Sequence, residues 1–258
     1  MIATVLRGSS LKTTWLRFWR MPYKASLENK FDGVICSGDI VHDVNPQFLD
    51  KAYQIFVELI NKYFPDTPIY LVPGNHDNLE LFAQMRFNAP QVIVSEKEVV
   101  PVVLNQTWHL LLVNSKACKR VGGSISPEQS KYIAHYLEQN SRAKVALVMH
   151  HNPLPASSAW LDSHRFTGIE EFWQEVASYP NLELVLHGHI HQDLTLNTGK
   201  TAILSVPSTS VQFKPRQEDF TLDTIAPGYR ILTLSPDGFS QELKRLETRL
   251  VYEQITGY

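Results

Sequence analysis

The sequence has little of what marks several specialised classes of protein. Its 258 residues include only two cysteines, which fit no disulfide-rich or paired metal-binding spacing and so favour a reducing compartment, the cytoplasm. No apolar run is long enough to span a bilayer, and the net charge of −2 gives no general attraction to nucleic acid or an anionic membrane. Any phosphate-binding site must therefore be a local one.

Acidic residues are absent from residues 1–27, which carry several Lys and Arg side chains. The stretch lacks the continuous apolar core of a secretory signal, so a short basic surface helix is favoured over a targeting peptide. We therefore expect an atypical basic N-terminal segment at residues 1–27 and one α/β domain at residues 28–258.

The domain begins with a repeated pattern of strand, polar loop and helix. Short apolar runs at residues 33–36 and 68–72 predict buried strands that each enter a polar loop. Between them, apolar residues recur at helical spacing over residues 49–63. The order predicts an α/β fold with one continuous domain.

Three apolar runs within residues 91–114 have no convincing helix between them and predict a meander of antiparallel strands. Two helix starts carry the pattern of a capping box, one at Ser126 with Gln129 and one at Thr167 with Glu170. Residues 154–166, which include Trp160, Asp162 and His164, are too irregular for a helix. They could form a substrate-facing lid or, more commonly, a packed surface loop.

Three histidines lie within five residues after an apolar run at residues 182–185: His187, His189 and His191. In an extended segment, side chains two positions apart point to the same side, so His189 and His191 could converge on one ion. Gly188 permits a tight turn between them.

Polar residues of similar chemistry follow four predicted strands: Asp39, Asn75, His76, Asp77, His150, His151, His189 and His191. Ligands in sheets of this kind bind outside the carboxyl ends of the strands. Carboxylate, carboxamide and imidazole donors suit manganese, iron or zinc. Asp39 has two oxygens and could bridge two ions, and a pair of ions activates water and clamps phosphoryl oxygens. The chemistry expected is phosphoester hydrolysis.

Four motifs, in this order, resemble those of the calcineurin-like metallophosphoesterases: Gly38-Asp39, Gly74-Asn75-His76-Asp77, His150-His151 and Gly188-His189-x-His191. Residues 150–155, 158–162, 211–215 and 220–228 are similar to bacterial 3′,5′-cyclic-AMP phosphodiesterases. The resemblance implies a four-layer α-β-β-α sandwich, two divalent ions (iron or manganese) and hydrolysis of 3′,5′-cyclic AMP to AMP.

The same resemblance implies five metal ligands: Asp39, Asn75, His150, His189 and His191. Asp39 would bridge both ions, and His191 would belong to the first. The dihistidine allows two ligand choices. His150 is preferred because it follows directly on the apolar strand, and His151 is the alternative.

The catalytic residue implied by the resemblance is His76, which would act as a general acid near the leaving oxygen. Asn75 would also touch the phosphate, and the substrate-binding set is Asp39, Asn75, His76 and His191. The remaining histidines fall outside the pattern and are expected to be core or surface residues: His42, His109, His135, His164 and His187.

One family motif is absent. The family begins with a strand ending in Asp-x-His, which supplies two ligands to the first metal, whereas this sequence has no Asp before Asp32 and no His before His42. We expect an incomplete first metal site and a fold without its first strand, as a late start codon, a truncated gene or a frameshift would produce. His42 or Asp43 could substitute, but their spacing gives little support.

Two alternatives follow from that absence and from the nature of the motifs. One is a degenerate relative that binds nucleotide or a single metal with little turnover. The other keeps the enzyme but changes the substrate to other phosphodiesters or to phosphomonoesters, because metal ligands set the chemistry and loops set specificity.

Overall fold

The computed structural model describes residues 31–41, 49–95 and 98–247, apart from the side chains of residues 83 and 85–87. The predicted basic segment at residues 1–27, the expected missing first strand, and His42 and Asp43 all fall outside these residues. The domain boundary therefore stays a prediction.

Within the described residues the helices are α1 Leu49–Tyr63, α2 Leu79–Asn88, α3 Pro127–Gln139, α4 Ala159–Asp162 and α5 Ile169–Val176. The strands are β1 Val34–Cys36, β2 Ile69–Leu71, β3 Val92–Val94, β4 Val99–Val103, β5 Trp108–Val113, β6 Lys144–Val148, β7 Leu182–His187, β8 Thr195–Thr198, β9 Thr201–Ser205, β10 Gln212–Phe213, β11 Leu222–Asp223, β12 Gly228–Ser235 and β13 Gly238–Arg245. No helix in this part of the chain combines the length and apolar character needed to cross a membrane.

Two main sheets carry the fold. One is a parallel three-stranded sheet in the order β1-β2-β3. The other has six strands in the order β4-β5-β6-β7-β9-β8, with parallel pairing from β5 through β9 and antiparallel pairing at both edges. Two antiparallel hairpins, β10–β11 and β12–β13, complete the described strands.

The apolar pattern of the strands sorts their side chains into layers. In β6, Val145 and Leu147 pack on the helix side, whereas Ala146 and Val148 face the three-stranded sheet, as a two-residue period requires. All four are fully buried. This explains why the strand is continuously hydrophobic rather than alternating.

Three apolar clusters separate four layers, which confirms the predicted α-β-β-α sandwich. Phe56 and Phe82 pack α1 and α2 on one face of the three-stranded sheet. Tyr70 lies between the two sheets, and Ile133 and Phe172 pack α3 and α5 on the far face of the six-stranded sheet. Burial of one such side chain contributes about 2 kcal/mol.

The predicted antiparallel meander at residues 91–114 is wrong in its first strand. β3 runs parallel to β2 in the three-stranded sheet, and only β4 and β5 form an antiparallel pair. The reason is that α2 connects β2 to β3, and a helical crossover returns the chain in the same direction.

The two predicted capping boxes have different outcomes. Ser126 Oγ accepts the backbone N–H of Gln129, and Gln129 Oε1 accepts that of Ser126, so the first box is confirmed. The second is wrong, because α5 is preceded by Gly168 in a left-handed conformation (φ 81°) with no side-chain cap. Thr167 instead pairs through its backbone with Gly123 and Ile125.

The segment at residues 154–166 was expected to contain no helix, and here the prediction is wrong at its centre. The four-residue helix α4 forms around Leu161, which is buried. Asp162 closes the turn, since its carboxylate accepts the backbone N–H of Ala156 at 2.7 Å.

Candidate metal centre

The candidate site lies where strands of both sheets end. Asp39 follows β1 and Asn75 follows β2 in the three-stranded sheet, while His150 follows β6 and His189 follows β7 in the six-stranded sheet. All four side chains are buried. The structure thus brings together four of the five predicted metal ligands at the carboxyl ends of the strands, as expected.

Close packing of two loops explains the glycines of the first two motifs. Gly38 has φ 94° and Asp39 has φ 52°, so the chain turns through the left-handed region directly after β1. A Cβ atom on Gly74 would lie 2.0 Å from Asp39 Oδ1. Only glycine at position 74 lets the two loops approach this closely.

Three acceptor atoms converge at the centre of the site. His150 Nε2 lies 3.1 Å from Asp39 Oδ2 and 3.1 Å from Asn75 Oδ1. His150 Nδ1 donates to the carbonyl oxygen of Ser37 at 2.6 Å, so in the neutral ring the proton is on Nδ1 and Nε2 presents a lone pair. Metal-ligating histidines are oriented by this kind of outer hydrogen bond, and a cation among these atoms would satisfy all of them.

The other member of the dihistidine has protein partners for both ring nitrogens. His151 Nε2 donates to the carbonyl oxygen of Val121 at 3.1 Å, and Ser115 Oγ lies 2.8 Å from its Nδ1. Possible ligand atoms of His150, His151 and His189 nevertheless all lie within 4.8 Å of one another. The hydrogen bonds favour His150 as the ligand, and His151 stays the alternative.

His189 and His191 do not lie in an extended segment, so the geometric basis for placing them on the same side is wrong. Both have left-handed backbone conformations, with φ 64° and 49°. His189 Nδ1 lies 3.1 Å from Asn75 Oδ1. His191 stacks on Phe213 at 3.8 Å and donates from Nδ1 to the carbonyl oxygen of Val211 at 2.9 Å.

The remaining nitrogen of His191 fits a metal-ligand role. Its Nε2 is buried and has no hydrogen-bond partner among the described residues, and with the proton on Nδ1 it carries a free lone pair. A buried polar atom without a partner needs an explanation such as an ion or a ligand. His191 is thus available as a ligand for a further ion.

The protonation states suit a cation. Burial lowers the pKa of His191 to about 3, and burial together with the neighbouring His151 and His150 lowers the pKa of His189 well below its usual value. Burial alone would raise the pKa of Asp39, but the nearby His150 and His76 hold it well below the normal range. Neutral imidazoles and an ionised carboxylate are the forms that bind metal.

His76 lies beside this cluster in the loop after β2. Its backbone N–H donates to Asp39 Oδ1 at 2.9 Å, and its side chain is buried. The Lys116 ammonium donates to the backbone carbonyl of Asn75. The loop that carries Asn75 and His76 is therefore held by both contacts.

Asp77 has a structural role that the sequence reasoning did not assign. Its carboxylate accepts the backbone N–H groups of Gly74 at 2.8 Å and Ile40 at 3.0 Å, and the Tyr53 hydroxyl at 3.0 Å. Burial and the negative charge of Asp39 raise the pKa of Asp77 to about 6. Its place in the same motif as Asn75 is the sequence feature that could have indicated this role, but two of its partners, Ile40 and Tyr53, are distant in the sequence.

The histidines outside the predicted set occupy different places. His187 is buried in β7, His109 lies next to Tyr136, and His135 is exposed on α3. His164 is half-buried, and its ring contacts that of His189 with centroids 6.2 Å apart. The sequence placed His164 in a segment that could be either a substrate-facing lid or a packed surface loop, and it did not indicate the contact with His189.

Comparisons with known proteins agree with the geometry. A family model described as calcineurin-like phosphoesterase matches residues 12–193. The chain is 34% identical over 218 residues to the 3′,5′-cyclic adenosine monophosphate phosphodiesterase CpdA of Vibrio vulnificus, covering 84% of this chain and 76% of the relative. The Escherichia coli K12 protein of the same name is 35% identical over 234 residues, covering 87% and 80%.

Solved structures give the same fold. A dimetal phosphatase from Danio rerio superimposes with a TM-score of 0.63 at 11% identity, covering 89% of this chain and 88% of that structure. At this identity the likeness concerns the fold alone, a layered α/β sandwich.

Proposed function

Because the chain belongs to the calcineurin-like phosphoesterase family, we propose that it hydrolyses 3′,5′-cyclic AMP to AMP through a binuclear metal site. The observation that carries the proposal is the convergence of His150 Nε2, Asp39 Oδ2 and Asn75 Oδ1 in a buried cluster. The relatives named as cyclic-AMP phosphodiesterases support the substrate.

The proposed metal ligands divide between two ions. Asn75, His150 and His189 would hold the second ion, Asp39 would bridge, and His191 would hold the first. Oxygen and imidazole donors suit manganese, iron or zinc, and the family resemblance favours iron or manganese among these. When bound, such ions polarise the phosphoryl group and activate a water molecule.

The chain's own residues would orient the substrate and move a proton. Asn75 and Asp39 would contact the phosphate, and His76 follows Asn75 in the same loop. Attack of water on phosphorus breaks the bond to the 3′ oxygen, and His76 would give that leaving oxygen its proton. Overall, one cyclic AMP and one water molecule give one AMP.

The test is single-turnover hydrolysis by the purified 258-residue chain loaded with manganese or iron. We expect metal-dependent formation of AMP, resolved from cyclic AMP by liquid chromatography. p-Nitrophenyl phosphate esters, assayed in parallel, separate a cyclic-nucleotide enzyme from one that acts on other phosphoesters. If no AMP forms under these conditions, the proposal fails.

A relative that binds one metal or a nucleotide with little turnover is the second candidate. It is favoured by the donor set among the described residues, which offers only Asp39 and His191 for the first ion. An ion held by only Asp39 and His191 would bind weakly. Titration that finds two tightly bound ions per chain would exclude this candidate.

The proposal includes a cytoplasmic location and a small-molecule partner. Neither Cys36 nor Cys118 forms a disulfide in the structure, which suits a reducing compartment. Fractionation of cells that produce the chain would test the location.

A further inference from the structure

His164, which is outside the predicted ligand set, contacts a side chain of the candidate metal centre. The His164 ring lies edge-on to His189, with centroids 6.2 Å apart and an interplanar angle of 62°. On its other side it lies edge-on to Trp160 at 6.0 Å. His164 therefore stands at the boundary between the candidate metal centre and the segment around α4.

The backbone of this segment is fixed by local hydrogen bonds. The N–H of His164 donates to the carbonyl oxygen of Leu161 at 3.0 Å, and Leu161 is buried beneath it. The Trp160 ring packs edge-on to Phe213 at 5.1 Å and to Phe220 at 5.2 Å. The position of His164 is thus built into the fold.

The polar atoms of His164 are not all satisfied by the protein. Its Nδ1 is buried and has no hydrogen-bond partner among the described residues, although the side chain as a whole is half-buried. A buried polar atom left unpaired is costly, so groups of this kind in native structures usually have a functional explanation. A neutral imidazole offers one N–H donor and one acceptor nitrogen.

The phosphate of the proposed substrate would be a hydrogen-bond partner for His164. A phosphate that enters beside Asn75 and His189 presents only acceptor oxygens, whereas the nearby Asp39 and Asn75 oxygens are acceptors themselves. The phosphate therefore needs donors from the surrounding protein. His164 contacts His189 and can offer such a donor.

We propose that His164 is a substrate-binding residue whose ring N–H donates to a non-bridging oxygen of the substrate phosphate. The assignment rests on the proposed phosphoesterase function, but not on turnover. It makes the segment around α4 part of the substrate site, and it makes His164 a residue that binds phosphate rather than metal.

Phosphate binding tests the assignment without requiring catalysis. The full chain is loaded with manganese and titrated with inorganic phosphate, and then with AMP, in a calorimeter. We expect His164→Ala to weaken phosphate affinity about tenfold or more, the effect of losing one hydrogen bond to a charged group. His164→Gln keeps an N–H donor and should recover part of the affinity.

Controls separate this role from others. His135→Ala, on the exposed face of α3, should leave phosphate affinity unchanged. Manganese content should be equal in all variants, and circular dichroism should show equal folding of the Ala and Gln variants. If manganese content falls with phosphate affinity in His164→Ala, the residue is a metal ligand and the assignment is overturned.

Other outcomes also decide the matter. Unchanged phosphate affinity in His164→Ala overturns the assignment, as does a loss confined to AMP, which would indicate contact with the nucleoside. A wild-type chain that binds no phosphate overturns it too. If the wild-type chain binds phosphate through His164 but releases no AMP from cyclic AMP, the proposed substrate fails while this assignment stands.

Discussion

His150 Nε2 and Asp39 Oδ2 lie 3.1 Å apart, and both side chains are almost completely buried. Asp39 follows a strand of the three-stranded sheet and His150 follows a strand of the six-stranded sheet. This polar contact of the candidate site therefore joins the two sheets of the sandwich.

The dihistidine gives the first prediction. His150→Ala should reduce the bound manganese by about one ion per chain, because it removes the nitrogen that faces Asp39 and Asn75. His151→Gln is the matched variant and should keep the metal, since the His151 nitrogens are bonded to Ser115 and Val121. Elemental analysis after gel filtration measures the content. Loss of metal in His151→Gln alone would reverse the assignment.

The second prediction concerns His76. His76→Ala should lower single-turnover hydrolysis of cyclic AMP by about 10²- to 10⁴-fold, the usual contribution of a general acid. Its metal content should be unchanged, since Asp39 accepts from the backbone N–H of residue 76, which the substitution leaves in place. His135→Ala should retain full activity. A His76→Ala enzyme with wild-type turnover would remove His76 from the mechanism.

The third prediction concerns the hydrogen bonds that the Asp77 carboxylate accepts from Gly74, Ile40 and Tyr53. Asp77→Asn should lower the free energy of unfolding by about 2 kcal/mol, because the amide places N–H groups where the backbone also donates. Tyr53→Phe should lose about 2 kcal/mol, because the hydroxyl donates to Asp77 and also accepts the backbone N–H of Asn78. Urea unfolding of metal-free protein measures both. Asp66→Asn, at an exposed position, should leave the free energy of unfolding unchanged. If Asp77→Asn also leaves it unchanged, the hydrogen bonds of Asp77 do not stabilise the fold.

The fourth prediction concerns pH. Burial lowers the pKa of His187 to about 4, so below the ordinary histidine pKa the unfolded chain takes up a proton that the folded chain does not. Stability from this residue is complete above pH 6.5 and falls as the pH approaches 4. Between pH 6.5 and pH 5 the loss should be about 2 kcal/mol.

The variant His187→Asn isolates that contribution. In metal-free protein, the free energy of unfolding falls between pH 6.5 and pH 5. This fall should be smaller in His187→Asn than in the wild type by about 2 kcal/mol. The lower absolute stability of the variant does not affect this comparison. Equal pH dependence in the two proteins would show that His187 takes up its proton normally in the folded state.

The sequence predicted the features that depend on local patterns. The apolar runs gave most strand positions, the capping pattern at Ser126 located the start of α3, and the motifs identified the residues that gather at the strand ends. These features rest on period and on neighbours within about four residues. Local information was sufficient for them.

The features that the sequence did not predict depend on distant partners. To predict that β3 pairs with β2, one must know that α2 forms the crossover between them. The backbone of Thr167 pairs with Gly123 and Ile125, and this tertiary contact replaces the expected side-chain cap. The left-handed conformations of His189 and His191 likewise occur where their rings contact Asn75 and Phe213, which are distant in the sequence.

The candidate metal site lies between the two sheets, so bound metal would increase the stability of the native state. The sheets share an apolar interface but, among the described residues, no strand of one pairs with a strand of the other. Ions held across this seam would act as crosslinks, and an ion at 100 times its dissociation constant stabilises the native state by about 2.7 kcal/mol. Without the metal, a larger fraction of the protein would be unfolded and open to proteolysis, in addition to the loss of its chemistry.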